Sequence, residues 1–187
     1  MQILLTILTI LSSFLTNLET KTLQSDFTVT VAEEVNAPMN YPGTITMSGN
    51  CFRLTMFGID AAYDGKTMYM YSGDTDELTL TNPTDKELIE TNPFLYAKAL
   101  VNVCNVTERT TSDGTQTTVT LTPKDQSIGI NRFTLRVRNN DLMPLQVEIK
   151  EGKKTSTLKL KEPKFINTKT DYVIKAEAGT YVNDMRL

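Results

Sequence analysis

From Ala62 to Leu100 the chain changes from a two-residue to a roughly four-residue period. Met68 and Met70 point one way and Tyr69 and Tyr71 the other, because successive strand side chains alternate. A strand over Thr67–Ser72 therefore has no polar face and must be covered on both sides. Asp64-Gly65 joins it to a strand ending at Tyr63, since Asp-Gly between apolar runs is the strongest short hairpin signal. A turn at Ser72–Thr75 leads into a strand Glu77–Thr81. After Pro83, Thr84-Asp85-Lys86-Glu87 starts like a capped helix. Pro93–Leu100 continues in helical composition, with Leu95, Ala99 and Leu100 grouped at helical spacing. The spacing predicts helix over Thr84–Leu100 in two pieces, divided at Asn92-Pro93.

Strand-like alternation recurs along most of the chain. Phe27, Val29 and Val31 share one face of a strand Ser25–Glu33, and Asp26, Thr28 and Thr30 the other. Pro38 and Pro42 predict a loop over Asn36–Pro42. Strands Thr44–Ser48 and Cys51–Phe57 meet across Ser48-Gly49-Asn50, with Phe52, Leu54 and Met56 on one face. The second half reads as hairpins: Val103–Thr110 with Thr117–Thr122, Ile130–Arg138 with Leu145–Lys150, then Thr155–Lys161. Tyr172–Ile174 through Tyr181-Val182 closes one edge. With no βαβ rhythm, this is a meander that curls into a half-barrel. The first stretch, residues 3–18, admits two readings. Ile3, Ile7, Ile10, Leu11, Phe14 and Leu18 recur at helical spacing, as in an amphipathic helix. A residual secretion signal would need a positive n-region and a small-x-small site, and neither is present. It is too short and too interrupted by hydroxyls to span a membrane. Residues 1–24 are thus a helix or a signal-like segment, and 25–187 a single domain with helices within 84–101.

Composition removes several classes of function. A net charge of -3 from 19 basic and 22 acidic residues is no overall footprint for nucleic acid. The absence of His removes Ser-His-Asp and Cys-His catalysis and the usual zinc sites, so no enzyme, metal or cofactor is expected. Asp74, Asp76 and Glu77 lack the spacing of a calcium loop and read as a solvated turn. Met47, Met56, Met68 and Met70 fall on adjacent strands. Their adaptable thioethers suit either an ordinary core or a surface that repacks around hydrophobic ligands. Cys51 and Cys104 are expected to remain free thiols that pack as small apolar groups.

Three segments in order carry a family likeness: Asp64-Gly65-Lys66-Thr67-Met68-Tyr69-Met70-Tyr71, then Asn92-Pro93-Phe94, then Leu121-Thr122-Pro123-Lys124 leading to Arg132-Phe133-Thr134-Leu135-Arg136-Val137. Together they resemble the LolA-type periplasmic carriers of lipoproteins. The likeness implies a mainly β fold with some helix: an open, incomplete, curved antiparallel β-barrel covered by short lid helices over an acyl-chain cavity. The apolar sets expected to line that cavity are Phe27, Val29, Phe52, Leu54, Met56, Met68 and Met70, with Phe94 and Leu95 from the helices. It further implies a monomeric periplasmic carrier of acylated lipoproteins, with an inner-membrane lipoprotein-releasing transporter as donor and an outer-membrane acceptor. One departure is Ser48-Gly49, which stands where the best-known carriers have an Arg-Pro pair whose Arg holds the lid. The alternative reading is a structural or protein-interaction β-domain of the cell envelope without lipid cargo.

Overall fold

The computed structural model describes residues 2–33, 36–167 and 170–186, the first eight of them as backbone only. Helix α1 (Gln2–Thr20) is followed by strands β1 (Thr22–Glu33), β2 (Asn36–Ser48), β3 (Cys51–Met56), β4 (Ile59–Tyr63), β5 (Met68–Ser72) and β6 (Glu77–Thr81). Helices α2 (Asp85–Thr91) and α3 (Pro93–Leu100) follow. Strands β7 (Cys104–Thr110), β8 (Gln116–Pro123), β9 (Arg132–Arg138), β10 (Met143–Glu151), β11 (Lys154–Ile166) and β12 (Tyr181–Asp184) complete the chain. All twelve strands form one sheet in the order β12-β6-β5-β4-β3-β2-β1-β11-β10-β9-β8-β7, which does not close on itself. Two meanders, β1–β6 and β7–β11, are therefore joined through β1 and β11, where Val29 lies opposite Leu158 and Phe27 opposite Leu160.

Where its side chains are described, the amphipathic stripe on α1 packs inward as its spacing demands: Leu11, Phe14 and Leu18 are nearly inaccessible and Ile10 is half-buried, while the side chains of Ile3 and Ile7 lie outside the described residues. A capping box starts α2, with Thr84 Oγ1 accepting from the Glu87 N–H and Glu87 accepting from the Thr84 N–H. The break before α3 has a local cause. Asn92 caps it by accepting from the N–H groups of Phe94 at 2.9 Å and Leu95 at 3.4 Å, and Pro93 fills the first helical position, where no donor is missed. All three helices add apolar side chains to the core on the concave face, and Phe14 of α1 meets Phe94 of α3 at 5.8 Å between ring centroids.

Three expectations are corrected. Asn36–Pro42 is strand, not loop. Beyond Gly43 strand β3 has ended, so this stretch pairs with β1 alone, and on an edge proline's missing donor is tolerated. Asp64-Gly65 is not a two-residue turn but part of a four-residue loop, in which Asp64 Oδ1 accepts from the Lys66 and Thr67 N–H groups. Within the last segment only Tyr181–Asp184 closes an edge, and it does so parallel to β6. Tyr172 and Ile174 instead are buried, and Ile174 packs with Ala62, Tyr69, Leu78 and Leu80 in a separate cluster on the convex face. The strand with two apolar faces is accordingly covered twice at its start: Met68 joins the core below the helices and Tyr69 the convex cluster. Cys51 and Cys104 are free, on strands seven places apart in the sheet.

Candidate functional site

Cross-strand register determines which side chains meet on the concave face. One row runs Glu108, Val119, Leu135, Val147, Leu158, Val29 across β7, β8, β9, β10, β11 and β1, and a neighbouring row contains Ile149, Ser156 and Val31. Below α2 and α3 these rows do not meet the helices fully. A cavity of about 210 Å³ remains, floored by Phe27, Val29, Leu54 and Met56 from one wing and Val147, Ile149 and Leu158 from the other. Its roof is Ile89 and Thr91 of α2 with Pro93 and Tyr96 of α3. A larger cleft of about 570 Å³ shares Ile89, Glu90, Tyr96 and Ile149 with it and opens outward past Ile128, Ile130 and Glu151. The two lie side by side under α2, divided by those four shared residues, and the cleft faces outward between the helices and the β8–β9 connection.

Few polar groups enter this space. Burial pushes the Tyr96 phenol above its ordinary value. Outside this space, on the edge strand β7, burial likewise pushes the Glu108 carboxyl up, and one of its oxygens is buried without a hydrogen-bond partner. At the mouth, Lys86 and Glu90 form an exposed ion pair at 3.8 Å. The lid is tied down elsewhere: the Gly49 N–H donates to the Leu18 carbonyl at 2.6 Å, and Lys98 of α3 pairs with Glu19 of α1 at 2.8 Å. Backbone at Gly49 thus bonds to the end of α1 where an Arg side chain was expected to act in relatives.

The nine expected lining residues separate into three groups. Phe27, Val29, Leu54 and Met56 line the cavity. Phe52, Met68 and Phe94 are fully packed core, Phe52 against Tyr63 and Phe94 against Phe14, with no free surface toward the cavity. Leu95 borders a separate shallow pocket beside Asn50 and Leu88, and Met70, on the concave side, is 47% exposed because the helices do not reach it. The residues missed are Ile89 and Tyr96 and the far wing's Val147, Ile149 and Leu158. The alternation of β10 and β11 hinted at the latter, but only the β1–β11 pairing brings them opposite Val29. Among the described residues no cluster of acidic or sulfur ligands could hold a metal ion.

The chain that folds into this open curved sheet with helices over an apolar cavity matches a known family model, that of the outer membrane lipoprotein carrier protein LolA, over residues 58–173. The chain belongs to the LolA family. Of solved structures, an uncharacterized conserved protein from Thermus thermophilus has a similar LolA-type fold with TM-score 0.61 at 14% identity, covering 93% of this chain and 96% of that one. The Mycobacterium tuberculosis lipoprotein LppX superposes with TM-score 0.53 at 14% identity over 90% of this chain and 98% of its own. The Pseudomonas aeruginosa MucA/MucB complex includes a chain matching with TM-score 0.54 at 15% identity, over 92% of this LolA-family chain and 61% of that one. At these identities the likeness is one of fold. No curated protein matches the chain.

Proposed function

We propose that this LolA-family protein binds the acyl chains of a lipoprotein, or of a related acylated ligand, in the cavity beneath α2 and α3, without catalysing a reaction. In this reading it ferries them through the periplasm from an inner-membrane releasing transporter toward an outer-membrane acceptor. The observation that carries it is an apolar cavity roofed by two short capped helices, with an open cleft beside it on the far side of Ile89 and Tyr96. At about 210 Å³ the cavity is small, so an entering chain must displace the side chains of Ile89 and Tyr96. Affinity is then the difference between two burials. Each methylene transferred contributes about 0.8 kcal/mol, offset by apolar area that the lid loses on opening. That near balance suits a carrier that must release its cargo.

A fluorescent fatty-acid analogue tests this directly. The intact protein should bind it, and Leu54→Glu should abolish binding, because an unpaired charge in an apolar cavity costs several kcal/mol. Met70→Glu, changed where water already reaches, should bind as the parent does. Equal binding by a folded Leu54→Glu variant would refute the cavity. Mass spectrometry of lipid co-purified from native extract would then identify the cargo.

A further inference from the structure

Net charge conceals a marked asymmetry. Residues 22–100 contain 4 basic and 11 acidic side chains, whereas residues 104–166 contain 11 basic and 7 acidic. On the convex face the second group is concentrated further. The register aligns Arg109, Thr118, Arg136, Gln146, Lys159 and Thr28 in one row across β7, β8, β9, β10, β11 and β1. Cations thus sit on every second strand of β7–β11, about 10 Å apart at ordinary strand spacing. The adjacent row is Thr107, Thr120, Thr134, Glu148 and Thr157, with Lys150 one row beyond and Lys161 and Lys164 further along β11. Among the described residues, Arg109, Arg136, Lys150, Lys159, Lys161 and Lys164 make no ion pair or side-chain hydrogen bond. The nearby carboxylates are Glu148, held by Arg132 at 2.9 Å, Glu162 in the β11 bulge and Asp26 on β1.

We propose that this convex face of β7–β11 is an electrostatic docking surface for an anionic lipid bilayer. A protein partner would be gripped by aromatic and apolar anchors, which dominate such interfaces. Among the described residues, the exposed large apolar side chains, Met39, Phe57, Met70, Val103, Tyr181, Val182 and Met185, all lie elsewhere. Single-stranded nucleic acid is held by stacking on aromatic side chains, and none projects from these strands on this face. A lattice of long cations with threonine hydroxyls between them needs no shaped partner, only a surface of many phosphates. Clustered Lys and Arg bind anionic membranes in that way. The cavity mouth lies at the strand ends and not on this face, so a docked protein keeps its mouth free for cargo.

Co-sedimentation with vesicles tests the proposal, using phosphatidylcholine alone and phosphatidylcholine with roughly one-quarter phosphatidylglycerol. Binding is expected to the anionic vesicles only, and raising the salt to about 0.5 M should remove it by screening. Reversing two cations in Arg136→Glu/Lys159→Glu should lower the partition coefficient at least about tenfold, each contact counting for several-fold. A control with the same change in net charge, Lys66→Glu/Lys175→Glu, should bind as the parent does. The proposal is overturned by no binding to anionic vesicles, by equal binding to both vesicle types, or by equal losses in the two double variants. Because none of the altered residues lines the cavity or the cleft, fatty-acid binding should persist in both, so this result is independent of the cargo reading.

Discussion

Phe27 lies across Gly43 of the neighbouring strand. A Cβ at Gly43 would lie 2.5 Å from the Thr55 carbonyl oxygen and would also meet the Phe27 ring. The ring can rotate but the carbonyl belongs to the ladder. Gly43→Ala should therefore destabilise the protein by roughly 1–3 kcal/mol as an overpacked site, measurable by urea unfolding. Nothing local in Pro42-Gly43-Thr44 announces this, since the glycine is required by the Thr55 carbonyl of the neighbouring strand, about twelve residues away. Glu108 raises a second question at this scale. Its folded-state carboxyl titrates above the ordinary value, because burial disfavours the charge. A carboxyl shifted up contributes stability below its unfolded value of about 4.3 and loses it as pH rises through the folded value. Glu108→Gln should thus stabilise the protein at neutral pH and converge on the parent below about pH 4 in thermal melts. The sequence showed Glu108 only as a polar residue in a strand. Its inward phase follows from pairing with Val119.

At the scale of elements, the short-range signals were legible. Thr84 with Glu87 and Asn92 with Pro93 are caps readable from four-residue windows, and they start and divide the lid as the sequence predicts. The boundaries of β6 and the hairpin periods of β7–β11 were likewise visible. Failure came where a rule about one residue met an edge. Pro38 and Pro42 forbid a central strand but not one that pairs on a single side. The lid's dependence on its caps is testable. Asn92 is 1% exposed and serves the N–H groups of two residues, so Asn92→Ala should cost about 1–2 kcal/mol and speed amide exchange in α3 selectively. In the parent, exchange in α2 and α3 should be faster than in the central strands and should slow when an acyl probe binds. Exchange as slow as that of β1 without ligand would make the helices a fixed plug.

For the whole molecule, the decisive contact is the one no periodicity reveals, the pairing of β1 with β11. Each wing is a sequence of neighbours, and alternation predicts each wing. Which strands join the wings depends on curvature and on the helices packed inside, so the far wing's share of the cavity floor, Val147, Ile149 and Leu158, stayed out of reach of sequence reasoning. That join also bears on how the chain acquires its shape in time. Val29 and Leu158 are about 130 residues apart, so β1 leaves the ribosome long before its partner exists. At synthesis rates on the order of 10 residues per second, one edge of β1 waits on the order of ten seconds for β11. During that interval the half-made sheet presents an unpaired strand, with Phe27 and Val29 uncovered on its far-wing side, so a nascent chain stalled before β11 is the form most exposed to aggregation.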